Sequence, residues 1–428
     1  MAARPDSTPW VGIAAERSDS EAAGRRATRL ANLRQFLPAL RYCAGVYLVV
    51  RVALFALALA AWGLTNESQF HRAPGWPWSQ MSGGAAAVNG WIKQDAQWFL
   101  YIAQHGYNAS NSTGAFYPAY PMLVHLVSYL CFGNVVVAGL LVSNLALLAA
   151  LIVLYRLTQH EYDEDTARRA VLYLCLFPTA FFLFDAYSES LFLLAAVGAF
   201  ALARKGHWGW AGLVGIVATL TRSMGVVVAL ALVVEAVHQT IADRRLADSS
   251  AGLRDVAPRL ALRLGASVVP LAGTVGYLLF WQLRFHDWSR PLRLEKIDWL
   301  RVPSWPWNTL EQGMALALRR ATFAGQGWWT LDFVLLAVGL VLAVCVLAMR
   351  MRPIYSVYAI GSILLFLSEA PPWRPLASDA RYLVTIFPLV WVLARLGRNP
   401  RVHETQIALS AVLLTVAAWV FVSTMQLY

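Results

Sequence analysis

Long apolar blocks separated by short polar connectors run along most of the 428-residue chain. The blocks fall at 42–63, 135–156, 170–184, 190–203, 208–236, 264–282, 329–349, 354–368, 382–396 and 405–427. About 20 apolar residues suffice for a helix to cross a bilayer, and helices satisfy every backbone polar group internally. The pattern therefore predicts an all-α polytopic membrane protein with about eleven crossings. Residues 64–116 are too polar and too broken by Gly and Pro to span, so they read as a large external loop. Tyr117–Phe132 is apolar, but Pro118 and Pro121 interrupt its start, and it reads as an interfacial helix. External loops are predicted at 64–134, 283–327 and 369–381, following a basic cytoplasmic tail over 1–41.

Charge sets the sidedness. Lys and Arg close to membrane helices stay in the cytoplasm, so the arginine-rich tail places the N-terminus inside. Block 208–236 has basic flanks on both sides, Arg204-Lys205 before it and Arg244-Arg245 after it. A single crossing there would put Arg350, Arg352, Arg395, Arg398 and Arg401 outside. Two short helices meeting at Thr221-Arg222-Ser223 keep all of these inside. Arms of about 13 residues rise only about 20 Å, which leaves Arg222 at membrane depth, where irregular backbone has to line a cavity.

Composition agrees with this picture and removes other classes. Hydrophobic residues are 58% of the chain and charged residues 14%, against about 25% charged in soluble domains. The net charge of +11 sits mostly in connectors, as topology signals do, which argues against nucleic-acid binding. Cys43, Cys131, Cys175 and Cys345 are scattered through apolar segments without paired spacing, so neither a disulfide framework nor a zinc site is expected.

Four polar clusters interrupt the apolar pattern, and the topology places all of them outside. The first contains Trp91, Asp95, Trp98 and His105, followed by Tyr117. The second contains Asp185 and Glu189, the third Thr221-Arg222-Ser223, and the fourth Asp379, Arg381 and Tyr382. Asp95, flanked by two tryptophans at the membrane border, is the preferred general base, because a partly desolvated carboxylate there suits proton abstraction. It also has a plain reading as a partner for Lys93. Asp185 and Glu189 share one face if their segment is helical, and would either begin a helix or position an acceptor. A buried Arg222 points to a phosphate, or to a salt bridge with another helix. Arg381 would bind phosphate or pair with Asp379. The tryptophans of 281–329 fit an interface belt, or apolar platforms for sugar faces.

These residues resemble those of a known family. Trp91, Asp95, Trp98, Gly106-Tyr107 and Ala115-Phe116-Tyr117-Pro118 are similar to the first luminal loop of the PIG-V-like GPI mannosyltransferase II family. Leu176-Phe177-Pro178 with Tyr187-Ser188-Glu189-Ser190, Thr221-Arg222-Ser223, and Arg381-Tyr382 with Phe387-Pro388 resemble three further motifs, in order. The resemblance implies a bundle of the glycosyltransferase C superfamily. It implies mannose transfer with inversion from a polyprenyl or dolichyl phosphate mannose donor to a glycolipid or lipid-linked acceptor. Asp95 would be the base, and Arg222 and Arg381 would hold the donor phosphate. Asp185, Glu189, Trp91, Trp98, His105, Tyr117, Asp379 and Tyr382 would contact acceptor or sugar. A lipid phosphate leaves readily, so neither a metal nor a cofactor is expected. The setting would be a multi-pass cell membrane, bacterial by composition, or the endoplasmic reticulum in a eukaryote. Transfer of another sugar or to a protein acceptor stays open, as does a lipid or solute transporter.

Overall fold

The computed structural model describes residues 10–64, 88–246, 253–319 and 327–423. Among them, structure other than helix is confined to turns and to one antiparallel pair of two-residue strands, Val302–Pro303 with Glu369–Ala370. The protein is an all-α, multi-pass membrane protein, and each apolar block of the sequence contains helix, although 170–184 is interrupted at 176–180 and 382–396 at 384–386. By length and composition, five helices can cross a membrane: Leu37–Leu64, Val135–Glu161, Gly225–Arg245, Trp329–Ala348 and Pro400–Ser423. The bent pair Val256–Val268 and Leu271–Phe285 makes a sixth. The remaining blocks form the shorter helices Glu164–Cys175, Glu189–Arg204, Trp208–Thr221, Pro353–Leu367 and Phe387–Leu396.

Several boundaries differ from those expected. The first helix starts at Trp10 and runs to Leu64, so much of the basic tail is continuous with the first span. Block 264–282 is bent by 40° at a short break. Pro270 lies there, and its ring removes a donor and clashes with the preceding turn. The break at Thr221-Arg222-Ser223 is present, between Trp208–Thr221 and Gly225–Leu246. Only the first arm is short, at 14 residues. The second has 22, because apolar positions continue into a polar but helix-forming stretch ending at Arg244-Arg245. Gly225 makes the break possible: a Cβ there would lie 2.4 Å from the Thr219 backbone. Residues 65–87 of the first external loop, including Asn66, lie outside the described residues.

The interfacial segment folds as the helix Ala119–Ser128 and a 3-10 turn over Tyr129–Cys131. Its two faces are distinct. Tyr120, Val124 and Ser128, four apart, are buried, while Met122, Leu126 and Leu130, also four apart, are exposed. Tyr120 fixes the helix to the bundle by donating to the Gly139 carbonyl at 3.0 Å.

Helix ends assigned to the cytoplasm by charge meet in one ionic cluster. Arg204 binds Glu161 at 2.5 Å and Glu235 at 3.2 Å, Arg352 reaches Glu235 at 3.1 Å, and Tyr355 donates to Glu161 at 3.0 Å. Four separate helices contribute to it. The second and third polar clusters lie at the opposite ends of two of these helices, where Glu189 opens Glu189–Arg204 and Arg222 precedes Gly225–Leu246.

Candidate active site

Asp95 is the first residue of the helix Asp95–His105. The residue before it, Gln94, has φ of 52°, a left-handed conformation that is costly for any side chain and persists only when its surroundings enforce it. Both flanks supply that enforcement. Lys93 donates from Nζ to the Phe421 and Val422 carbonyls at 3.1 and 2.6 Å. Tyr187 donates from its hydroxyl to the Lys93 carbonyl at 3.0 Å. Lys93 is thus engaged with the last membrane helix, and the cation on Asp95 is Arg381, whose Nη1 donates to Oδ2 at 2.6 Å.

Arg381 and Arg222 share a second carboxylate. Glu189 opens the helix Glu189–Arg204 and has no solvent-exposed surface. Its Oε1 accepts from Arg222 Nη1 at 2.5 Å and lies 3.2 Å from Arg381 Nε. Two positive charges share this one carboxylate, and removing it would deprive Arg222 of its ion pair while Asp95 still holds Arg381. Arg222 Nη1 also lies 3.4 Å from Ser188 Oγ. The ring of Tyr382 lies beneath three guanidinium groups, with Arg222, Arg381 and Arg301 at 4.5, 5.0 and 5.9 Å from its centroid. Its hydroxyl accepts from Arg381 Nη2 at 3.1 Å and from Arg301 Nη2 at 3.2 Å.

These groups border one cavity of about 790 Å³. Asp95, Trp98, Tyr117, Arg222, Arg381 and Tyr382, all named by the sequence, line it. Glu189 lies behind the wall, holding both arginines. A carboxylate, cationic groups and aromatic faces thus share a space large enough for a sugar. Burial pushes the Tyr117 phenol up to about 12, so it stays a neutral hydrogen-bonding group.

Other expected residues stand apart. His105 is exposed ten residues beyond Asp95, about 15 Å along the helix, with Nδ1 3.2 Å from the Tyr101 carbonyl. Trp91 is buried near Phe421, with ring centroids 6.5 Å apart, and does not line the cavity. Asp185 and Glu189 do not share a helix face. Asp185 is extended (φ −85°, ψ 171°), its carboxylate accepts from the Ala186 amide at 2.7 Å, and Arg51 and Lys93 are the nearby cations. Asp379 is buried beside Arg301 and Arg374, and Arg381 turns away from it toward Asp95. Burial holds the Asp379 carboxyl well above the usual carboxylate range.

Sequence reasoning missed the charged residues of a whole wall of the cavity, Glu295, Asp298, Arg301 and Glu369, although Trp299 beside them is one of the tryptophans it offered as a sugar platform. Apart from Glu369, which starts the 369–381 loop, the wall lies within the tryptophan-rich external loop and carries no motif. The strand pair of Val302 with Ala370 brings it to the site. Trp299 packs edge-on to Phe116 at 5.5 Å and lines the cavity. Trp305 and Trp307 stack on each other at 4.8 Å and are exposed, as an interface belt requires. Among the described residues, no three His, Cys, Asp or Glu side chains cluster with metal-holding geometry.

Comparison with known proteins bears on the part of the chain that carries three of the four clusters. Residues 80–250 match the model of the mannosyltransferase (PIG-V) family. The resemblance read from the motifs holds over that segment. GPI alpha-1,6-mannosyltransferase 2 of Rattus norvegicus is 33% identical over 153 residues, 33% of this chain and 31% of the relative. GPI mannosyltransferase 2 of Drosophila pseudoobscura pseudoobscura is 31% identical over 120 residues, 26% of each chain. The matches therefore span about a third or less of the length of these relatives. Among solved structures, ArnT from Cupriavidus metallidurans bound to undecaprenyl phosphate aligns with a TM-score of 0.48 and 15% identity, covering 88% of this chain and 76% of that one. An Archaeoglobus fulgidus oligosaccharyltransferase AglB, in complex with an inhibitory peptide and a dolichol-phosphate, aligns with a TM-score of 0.40 and 12% identity, covering 88% and 56%. At that level neither bears on the site.

Proposed function

We propose that this protein is an extracytoplasmic membrane mannosyltransferase that uses a polyprenyl phosphate mannose donor and a glycolipid or lipid-linked acceptor. The observation that carries the reading is one cavity lined by both Asp95 and Arg222, which Glu189 and Arg381 tie into one ionic chain. The match of 80–250 to the PIG-V family supports mannose as the sugar.

In the proposed step, an acceptor hydroxyl attacks C1 of the mannose from the face opposite the phosphate. Its proton passes to the Asp95 carboxylate as the new C–O bond forms. The bond from C1 to the phosphate oxygen breaks, and the electron pair leaves with the polyprenyl phosphate. The products are the mannosylated acceptor, with inverted configuration, and the lipid phosphate. Arg222 faces the developing charge on the leaving group as a fixed cation, held in place by Glu189 before the reaction begins. Arg381 is engaged on three sides, by Asp95, Glu189 and Tyr382, so we assign it to orienting the base. Trp98 and Tyr117 offer apolar faces to a sugar ring. The positive-inside pattern supports a cavity outside the cytoplasm, and the alanine- and arginine-rich composition fits a bacterial plasma membrane.

The test is transfer by membranes containing the protein, with labelled mannose supplied either on a polyprenyl phosphate or on a nucleotide. Transfer from the lipid donor alone supports the reading. Transfer from the nucleotide sugar without lipid phosphate refutes the donor class, and no transfer from either with acceptor lipid present refutes the activity.

A further inference from the structure

The wall of the cavity outside the matched segment carries one more cation. Arg301 follows the helix Arg290–Ile297 and precedes the strand Val302–Pro303. Its position is built rather than incidental. Its amide donates to the Glu295 carbonyl at 3.0 Å, Leu300 before it takes a left-handed φ of 54°, and the strand pair anchors the next residue to Ala370. The side chain is 14% exposed and lines the cavity. Its one ion-pair contact among the described residues, Glu295, is long at 3.6 Å, and the buried Asp379 lies nearby without pairing with it. Arg381, by contrast, is closed off by Asp95, Glu189 and Tyr382.

Tyr382 connects Arg301 to the other arginines. A phenol oxygen has two acceptor positions and one proton to give. Both acceptor positions are taken, by Arg301 and Arg381. The hydroxyl proton therefore remains available to an acceptor in the cavity that Tyr382 lines. Arg222 lies over the face of the same ring at 4.5 Å. A guanidinium on either side of a phenol that can still donate is a cradle for an oxyanion with several acceptor oxygens.

We propose that Arg301 and Tyr382, with Arg222, form the binding site for a phosphate monoester carried on a lipid chain. The proposal deepens the donor reading above and rests on it: the donor is a phosphodiester, and the monoester is the polyprenyl phosphate that leaves when mannose is transferred. The apolar residues Leu292, Ile297, Leu365 and Phe366 line the same cavity and give the chain an apolar wall. Glu295 opposes the anion by its charge and loosely holds Arg301 until the phosphate replaces it.

The test is equilibrium binding of farnesyl phosphate and of inorganic phosphate to the purified full-length protein, with no transfer reaction involved. Arg301→Ala is expected to weaken farnesyl phosphate binding about tenfold to a hundredfold, the loss of a charge-assisted hydrogen bond. Arg301→Lys should recover part of this, since a charge returns without the planar fork. Tyr382→Phe should weaken binding severalfold. Glu295→Gln should tighten it, which keeps the proposal open to refutation if Arg301→Ala folds poorly. Equal binding by wild type and Arg301→Ala, or unchanged binding by Glu295→Gln, overturns the proposal and leaves the donor reading standing. Wild type binding neither phosphate defeats both. Inorganic phosphate binding as tightly as farnesyl phosphate overturns the lipid-borne source.

Discussion

Replacing Glu189 isolates the interaction on which the site depends. The carboxylate is wholly buried and serves Arg222 at 2.5 Å and Arg381 at 3.2 Å, whose side chains are 13% and 4% exposed. Removing one partner of a buried pair costs about 3–5 kcal/mol, because the remaining charge is left without compensation. Here two charges are left, but Asp95 still holds Arg381, and Arg222 borders a cavity that admits solvent. The lower figure, about 3 kcal/mol, is therefore the expected loss for Glu189→Gln. A double-mutant cycle with Arg222→Gln separates the pair from the rest, because neutralising both partners removes the stranded charge. The coupling should be about 1.5–3 kcal/mol, so that the double variant is less damaged than the two single losses combined. The assay is denaturation of the detergent-solubilised protein followed by intrinsic tryptophan fluorescence, with donor transfer measured in parallel. Strict additivity, within about 0.5 kcal/mol, would show that Glu189 and Arg222 are not coupled and would undo the ionic chain argued for the site.

Other consequences follow from single features. Gly225→Ala should collapse the break at Arg222, since its Cβ would lie 2.4 Å from the Thr219 backbone; expression of folded protein, read by size-exclusion chromatography, should fall sharply, and normal yield with full activity would contradict the packing. Lys93→Met removes two hydrogen bonds that brace the turn before Asp95, and should lower kcat about tenfold or more with little change in KM for the donor; a pure KM effect would argue against this bracing. Desolvation at the cavity wall pushes the Glu295 carboxyl up although its side chain is 38% exposed, and Arg301 offsets this only in part, so the folded state holds its proton more tightly than the unfolded chain. That stabilising contribution is fully present below the ordinary carboxylate value and disappears as pH rises through the raised one. The stability of wild type relative to Glu295→Gln should therefore increase as pH falls through this window, and a pH-independent difference would refute the assignment.

How much of this was visible in the chain depends on the range of the interaction. Apolar runs located every membrane helix, because bilayer thickness sets their length locally. The break at Arg222 was legible from charge, since basic residues flank both ends of one apolar block. The convergence of Asp95, Arg222, Arg381 and Tyr382 in one cavity was anticipated by sidedness alone. Asp185 misled because its helical spacing to Glu189 presumed a helix that begins only at Glu189. The length of the second arm was missed because Gln239 to Arg245 look like a connector while remaining helical. Arg301 and Glu295 were illegible because pairing of Val302 with Ala370, 68 residues apart (370 − 302), delivers them, and two-residue strands leave no periodic signal. The attachment of Lys93 to carbonyls of the last helix is likewise a contact between distant segments.

The central claim is that Asp95 accepts the proton of the attacking hydroxyl. It is tested most directly by single-turnover transfer of labelled mannose from polyprenyl phosphate mannose, comparing wild type with Asp95→Asn at saturating donor. The account predicts a rate lower by about 100-fold or more with donor binding retained, in line with the usual contribution of a positioned base. Transfer by Asp95→Asn at the wild-type rate would contradict it.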